Sequence, residues 1–490
     1  MTFQAAEIAR IVEGRQVEGA EDIVLPKREE VAVWPYTHDV VFRLMNGTIL
    51  DTTLHALDAT HLHFVQELEG GGLVEQAVPR ADLDQVMFRP LRNERSQQIR
   101  ETLQGLFPKM RWEEEGLFTI VTDSAAPTSM AYRRTIRELA TEWYLTFYPI
   151  LKERLPKVQQ HIVVFENWDS YIEYAATDGV PGWVAVGYFH PQQEVLYCFN
   201  MVGERFSDLL YEVYLGQFRE ARDRWSQQIK GSRYEVFIEG QISEFLQKLE
   251  QAHATIRQLF HQLSVDILRH ELTHAMFHNW QLQSIVLSQM PEQTKEEIEK
   301  KRQYLQTAKE DEKRRLLDEL LSQQGQEALP DMQAANSWFV EGLAGFMEPS
   351  PIGGVNEERL AGVQEARRQN QILPLEFLNT FRMGSFVGMA QQSALYAYAQ
   401  SWAFCHFLMQ RYPDGFLMYL KRLAREHPEE GQDTLAWLMD AVGKEQRALE
   451  QEFLSHLDQF PPQDPFWMKQ MQVFLDLRQE LITLASRLGG

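Results

Sequence analysis

Residues 265–280 read VDILRHELTHAMFHNW, and residues 270–274 within them have the pattern HExxH. The flanking positions are mostly apolar and include no Gly or Pro, so the stretch predicts a buried helix. His270 and His274 are four residues apart, which places them on one helix face, where two imidazoles can bind one metal ion. Glu271 would lie beside that metal and could accept a proton from water. The alternative is a helix whose histidines only pack or form hydrogen bonds, and a third ligand would distinguish the two.

The segment 337–348, which reads SWFVEGLAGFME, supplies the third ligand that a catalytic zinc site needs. Glu341 is surrounded there by apolar residues, where an acidic side chain is costly unless it is paired or bound to a metal. Glu348 lies two helical turns further along the same face, where it could accept a hydrogen bond from a ligand histidine. The sequence therefore predicts a zinc site made by His270, His274 and Glu341. The alternative is a helix with two surface glutamates. Three small residues permit a close approach to a second helix: Gly342, Ala344 and Gly345.

The motif His-Glu-Leu-Thr-His followed by Trp-Phe-Val-Glu-Gly-Leu-Ala resembles the gluzincin branch of the zinc metallopeptidases. It is especially similar to the bacterial peptidase MA-like proteins of unassigned function. The resemblance covers residues 116–460, and residues 372–376 and 398–404 are also similar to the group's pattern. It implies a zincin-type fold, a Zn2+ cofactor and hydrolysis of peptide bonds. Members of that branch often stabilise the oxyanion with a Tyr or His from a later helix. Tyr398 is the best match, and Tyr396 and His406 are the alternatives.

Three departures narrow the resemblance. Phe277 and Trp280 stand where a metzincin has Gly and His, which excludes that branch. No Gly-x-Met-Glu-Asn segment precedes the motif, so close kinship with the aminopeptidase N type is unsupported. Thermolysin-like members have an acidic residue four positions after the ligand Glu, and Gly345 stands there, which leaves the role of Glu348 open.

The composition is that of an ordinary globular protein, with 44% hydrophobic and 24% charged residues. The 490 residues are enough for two or three domains. The formal net charge of −22 argues against nucleic acid or an anionic membrane as the main partner. Cys198 and Cys405 provide neither a disulfide framework nor a cysteine metal cluster. The absence of a signal peptide and of an apolar run of about 20 residues predicts a soluble, cytoplasmic protein.

The predicted fold class is α+β, with a small N-terminal SH3- or Sm-like β-barrel followed by a zincin-type domain that has a small sheet and a mainly helical C-terminal half. The predicted divisions are an extension at 1–35, the barrel at 36–92, a helical connector at 93–115, a sheet subdomain at 116–205, a helical zinc-site subdomain at 206–460 and a C-terminal helix at 461–490. A charged helical hairpin at 281–330 is predicted as an insertion that accounts for most of the separation between the HExxH motif and Glu341. His61 and His63 share one strand face of the barrel and are predicted to be a surface pair.

The predicted function is zinc-dependent hydrolysis of a peptide or protein substrate. Glu271 would take a proton from the attacking water and pass it to the leaving amine, and Tyr398 would stabilise the oxyanion. Residues 187–189 are predicted as an edge strand along which an extended peptide pairs. One alternative is a zinc-fold scaffold without turnover that binds a protein partner through the barrel. Hydrolysis of a non-peptide substrate at the same metal centre is a third hypothesis.

Overall fold

The computed structural model of the chain describes residues 40–67, 72–178, 187–200, 235–282, 286–287, 332–333, 337–380, 391–426 and 433–463, together with isolated positions between 211 and 231. The predicted extension at 1–35 lies outside the described residues. The predicted hairpin at 281–330 and the predicted helix at 461–490 lie almost entirely outside them.

Six short strands form the N-terminal part: β1 (Val40–Leu44), β2 (Ile49–Leu50), β3 (Thr53–Leu57), β4 (His61–Glu67), β5 (Leu73–Pro79) and β6 (Leu83–Phe88). They make two separate antiparallel sheets, in the orders β2-β1-β6 and β3-β4-β5. The sheets pack through Phe42 and Phe64, whose rings meet edge to face with centroids 4.8 Å apart. The described strands therefore do not close into the expected barrel. Local alternation predicts individual strands, but it does not determine which strands pair across the ends of the sheets.

The two histidines of β4 are partly buried rather than fully at the surface, and His63 has acidic partners that the sequence did not indicate. The imidazole of His63 lies between two carboxylates, with Nε2 2.9 Å from Asp58 Oδ2 and Nδ1 3.2 Å from Glu75 Oε1. Both ring nitrogens of His63 are thus engaged by acidic side chains.

The next part of the chain contains a five-stranded sheet in the order β10-β11-β9-β8-β7. Its strands are β7 (Arg111–Glu115), β8 (Phe118–Thr122), β9 (Gln160–Phe165), β10 (Gly187–His190) and β11 (Val195–Phe199). The three central strands are parallel and wholly buried, whereas β7 and β10 pair antiparallel at the two edges. The predicted helical connector at 93–115 is only partly correct, because its first part is helical and its last part forms strand β7. The sequence of β7, RWEEE, is charged as a solvated segment would be, and such charge is common on an edge strand.

The helices that follow the sheet elements or flank them are α1 (Glu94–Leu106), α2 (Ala126–Leu151), α3 (Trp168–Thr177), α4 (Glu235–Asn279), α5 (Ser337–Met347), α6 (Glu357–Arg368), α7 (Leu375–Thr380), α8 (Gln391–Arg411), α9 (Pro413–Glu426), α10 (Thr434–Val442) and α11 (Gln446–Leu457). The HExxH motif lies near the C-terminal end of α4, as the sequence predicts. Among the described residues the fold is thus mixed α+β, with small sheets first and a helical C-terminal half. None of the helices in these parts of the chain could cross a membrane.

Two close contacts position α4 and α5. A Cβ on Gly187 of β10 would lie 3.1 Å from Ile267 Cγ2 and 3.3 Å from Glu271 Cγ, so glycine lets the edge strand lie directly against α4. A Cβ on Gly342 of α5 would lie 2.4 Å from the backbone oxygen of Ser401 on α8. The small residues therefore do permit a close helix contact, but the helix that Gly342 and Gly345 face is α8 and not the HExxH helix α4.

A two-residue strand pair joins the ends of the predicted insertion. β12 (Val286–Leu287) pairs antiparallel with β13 (Met332–Gln333), and Val286 lies opposite Gln333. The segment between α4 and α5 therefore begins and ends at neighbouring points, where β12 and β13 pair.

Candidate metal centre

Helices α4 and α5 bring His270, His274 and Glu341 together. The two Nε2 atoms of His270 and His274 are 3.1 Å apart. Glu341 Oε2 lies 3.2 Å from His270 Nε2, and Glu341 Oε1 lies 3.6 Å from His274 Nε2. Within the described residues this is the one group of three His, Cys, Asp or Glu side chains that could hold a metal ion.

The geometry of this group fits a zinc ion. Ligand atoms that are about 2.0–2.1 Å from a tetrahedral zinc lie about 3.3 Å from one another, which matches the separations among the three side chains. Glu341 is only 4% exposed, and its Oε2 forms no well-aligned hydrogen bond, although His270 Nε2 lies 3.2 Å away. A buried carboxylate is costly unless a positive charge compensates it, and a cation between the three side chains would do so.

Opposing effects set the charges of Glu341 and His270. Burial works to raise the pKa of Glu341, but the charge of His274 and the polar contacts with both imidazoles hold this pKa well below its usual range. Burial works against a charge on His270, but its polar contacts with Glu341 and Glu348 raise its pKa to about 10. The site thus favours a positive charge next to Glu341, and a divalent cation meets that requirement.

Glu271 is held next to the edge strand of the sheet. Its Oε2 accepts a hydrogen bond from the backbone N–H of Phe189 in β10, with an N···O distance of 3.1 Å. Burial raises the pKa of the Glu271 carboxyl, although the charges of His274 and His270 oppose the change. A raised pKa makes a carboxylate a better proton acceptor near neutral pH. β10 is an edge strand of its sheet, as predicted, but peptide pairing along it stays a prediction.

Glu348 lies directly after α5 and faces the outer nitrogen of His270. Its Oε1 is 2.7 Å from His270 Nδ1, and Asn356 Nδ2 donates to its Oε2. Thermolysin-like proteins have an acidic residue at the position of Gly345, and the structure gives a reason for the glycine here. A Cβ at this position would lie 3.2 Å from the Trp402 ring. No room remains there for an acidic side chain, and Glu348 makes the contact with His270 instead.

Of the three oxyanion candidates on α8, Tyr398 is the one near the centre. Its ring centroid lies 5.7 Å from the guanidinium carbon of Arg359, which contacts Glu348, and burial raises the pKa of its hydroxyl well above the usual value. Tyr396 is two residues earlier and therefore projects about 200° away around the helix. His406 lies elsewhere, with its ring against Trp402 and its Nδ1 3.4 Å from His456 Nε2.

The buried His406 should make the fold sensitive to acid. Burial and then the charge of His456 lower the pKa of His406 from 6.5 to about 4. The unfolded chain therefore binds a proton as the pH falls below 6.5, whereas the folded chain does not, and stability declines until about pH 4. The full shift corresponds to about 3 kcal/mol. We expect His406→Gln to lose less of its thermal stability than the wild type between about pH 7.5 and pH 4.5. Equal losses in both proteins would contradict this role.

Three residues near the centre were not predicted from the sequence. Arg269 is fully buried and donates to the backbone oxygens of Met347 and Pro349 at 2.7 and 2.8 Å, which ties α4 to the end of α5. Asn356 caps α6 by accepting the backbone N–H of Arg359. An Asn followed by two acidic residues is an N-cap signal that could have located Asn356, but the partners of Arg269 and Arg359 are far away in sequence.

The comparisons with known proteins reach only part of this arrangement. Residues 329–430 match the family described as a protein of unknown function (DUF1570). The match is about a fifth of the chain and contains Glu341, Glu348 and Tyr398, but neither His270 nor His274. No curated protein and no solved structure matches the chain. The family has no described activity, so the resemblance to gluzincins is not confirmed by these comparisons.

Proposed function

We propose that this protein is a zinc-dependent peptidase of the gluzincin type. The convergence of two imidazoles, those of His270 and His274, on the buried carboxylate of Glu341 is the observation that carries the proposal. The neighbouring side chains support it, because Glu271 and Glu348 occupy the two positions that hydrolysis at such a centre requires. Glu271 lies beside the proposed ligands, and Glu348 contacts the Nδ1 atom of His270, on the side of the ring away from the proposed metal.

Zinc at this site would supply Lewis acidity, which makes a water molecule acidic enough to lose a proton near neutral pH. Glu271 accepts that proton and passes it to the leaving amine, while the N–H of Phe189 keeps the carboxylate in place. The hydroxyl of Tyr398 stays protonated and donates a hydrogen bond to the developing oxyanion. Glu348 accepts a hydrogen bond from Nδ1 of His270, which leaves Nε2 directed towards the other ligands.

The fold supports the same assignment in coarser terms. The five-stranded sheet places an edge strand against the HExxH helix, and the remaining ligand comes from a later helix, which is the arrangement that the zincin resemblance implies. The two small N-terminal sheets contribute no side chain to the group of His270, His274 and Glu341, and we propose that they serve as an adaptor for a protein partner. A peptide or protein is the proposed substrate.

Metal analysis tests the proposed centre. The wild-type protein is expected to bind one zinc per chain, and His270→Ala and Glu341→Ala are each expected to lose it because two remaining ligands bind zinc weakly. The measurement is zinc content after dialysis against a weak chelator. Matched controls are His261→Ala on α4 and Glu365→Ala, whose side chain bonds Arg368 on the surface of α6. Stoichiometric zinc in either ligand variant would refute the ligand assignment.

A further inference from the structure

Arg359 on α6 contacts two of the residues to which a role in hydrolysis is assigned above. Its Nη2 donates to Glu348 Oε1 at 3.4 Å, and its guanidinium carbon lies 5.7 Å from the ring centroid of Tyr398. Glu348 follows α5 and Tyr398 lies on α8, so one side chain connects two separate elements of the site. The Arg359 side chain is 27% exposed, and solvent therefore screens these contacts only in part.

Asn356 completes the environment of Glu348. Its Oδ1 accepts the backbone N–H of Arg359 at 3.1 Å, which starts α6, and its Nδ2 donates to Glu348 Oε2. Glu348 Oε1 meets both His270 Nδ1 and Arg359 Nη2. A carboxylate with donors on both oxygens is held in one orientation, and charge-assisted bonds make that orientation strong.

The orientation of Glu348 decides which nitrogen of His270 carries a proton. With Glu348 in place, Nδ1 donates to it, and Nε2 faces His274 and Glu341, where its lone pair would bind the metal. If the carboxylate moved away, the proton could reside on Nε2, and a protonated nitrogen cannot bind a metal.

No other described cation can take the place of Arg359. Among the described arginine and lysine side chains, Arg359 is the one in ion-pair contact with Glu348. Arg269 is the nearest candidate on α4, but its side chain is committed to Glu142 and to the backbone oxygens of Met347 and Pro349.

We propose that Arg359 is a positioning residue of the metal centre. Together with Asn356 it holds Glu348 against His270, and its guanidinium packs on the ring of Tyr398, which a cation attracts through the ring face. Arg359 touches neither the three ligands nor the reacting atoms. This role rests on the proposed zinc site, because orienting His270 matters only if Nε2 binds a metal.

The test is the zinc affinity of the full-length chain, measured by competition with a chromogenic chelator. Arg359→Met is expected to weaken zinc binding about 10- to 100-fold, which is the usual effect of losing a group that orients a ligand. Arg359→Lys restores the charge and is expected to recover part of that loss. Arg368→Met is the matched control, because Arg368 lies on the same helix and bonds only Glu365 on the surface. It should bind zinc as the wild type does.

A double-mutant cycle separates positioning from general destabilisation. If Arg359 acts through Glu348, then Glu348→Gln combined with Arg359→Met should bind zinc within about twofold of Glu348→Gln alone. Additive losses would overturn the role, and so would a Lys variant no better than the Met variant. If Arg359→Met does not fold, Asn356→Ala tests the same support of Glu348 by removing its Nδ2 donor, and the unfolding midpoint is measured alongside because this change also removes the N-cap of α6.

The outcome for the wild type distinguishes failure of this inference from failure of the proposed function. A wild-type chain that binds no zinc would overturn the metal centre and the role of Arg359 with it. Normal zinc binding by the wild type, with unchanged affinity in Arg359→Met and Asn356→Ala, would overturn the positioning role alone.

Discussion

Glu271→Gln is expected to lower kcat for peptide cleavage by about 10³-fold or more, while the zinc content stays that of the wild type. Gln keeps the size of the side chain and an oxygen for the N–H of Phe189, but it cannot take a proton from water. Its amide does not belong to the ligand group, so metal binding should persist. The measurement is turnover of peptides first selected from a broad library with the wild-type protein, alongside metal analysis.

The matched control for this variant is Glu244→Gln, an exposed glutamate on the same helix that pairs with Lys248. Cleavage by Glu271→Gln at the wild-type rate would remove Glu271 from the chemistry. Loss of zinc from this variant would assign Glu271 to metal binding instead. If the wild type holds zinc and cleaves no peptide of the library, the scaffold hypothesis takes the place of the peptidase.

Gly342→Ala should produce the second large effect, a loss of about 2–3 kcal/mol in the free energy of unfolding. The added Cβ would lie 2.4 Å from Ser401 O and 2.5 Å from Cys405 Sγ, and a backbone oxygen cannot move away without shifting α8. Glu341 is the adjacent residue, so the variant should also bind zinc more weakly. The midpoint of thermal unfolding and the zinc affinity measure the two effects.

Gly105→Ala in α1 provides a control that should raise, rather than lower, the free energy of unfolding. A Cβ at Gly105 meets no atom within 4 Å, so only helix propensity changes, and the variant should gain up to about 1 kcal/mol. Equal responses of the two variants would show that the contact between α5 and α8 does not restrict residue 342.

The convergence of the three side chains of the candidate metal centre was predictable, because residue spacing and sequence context both indicate it. Two histidines four residues apart define a helix face, and a glutamate among apolar residues needs a partner, so His270, His274 and Glu341 could be selected together. The location of the HExxH motif on a helix also followed from the apolar pattern, whereas the start of this helix at Glu235 did not.

The supporting residues could not be predicted in the same way, because each depends on a contact between distant segments. Arg269 bonds Met347, and Arg359 reaches both Glu348 and Tyr398, but no spacing rule connects these positions. The pairing of the N-terminal strands has the same origin, since it depends on register and packing between strands rather than on alternation within each one.

The short ladder between Val286 and Gln333 bears on how this chain tolerates changes in length. A segment whose two ends are clamped together closes a loop, and the entropy of closing a loop grows only with the logarithm of its length. Each doubling costs about 0.6 kcal/mol. Insertions or deletions between residues 287 and 332 would therefore change the stability of the fold little and leave α4 and α5 in register. Relatives of this protein could differ greatly in size at this point and still keep the equivalents of His270, His274 and Glu341 together.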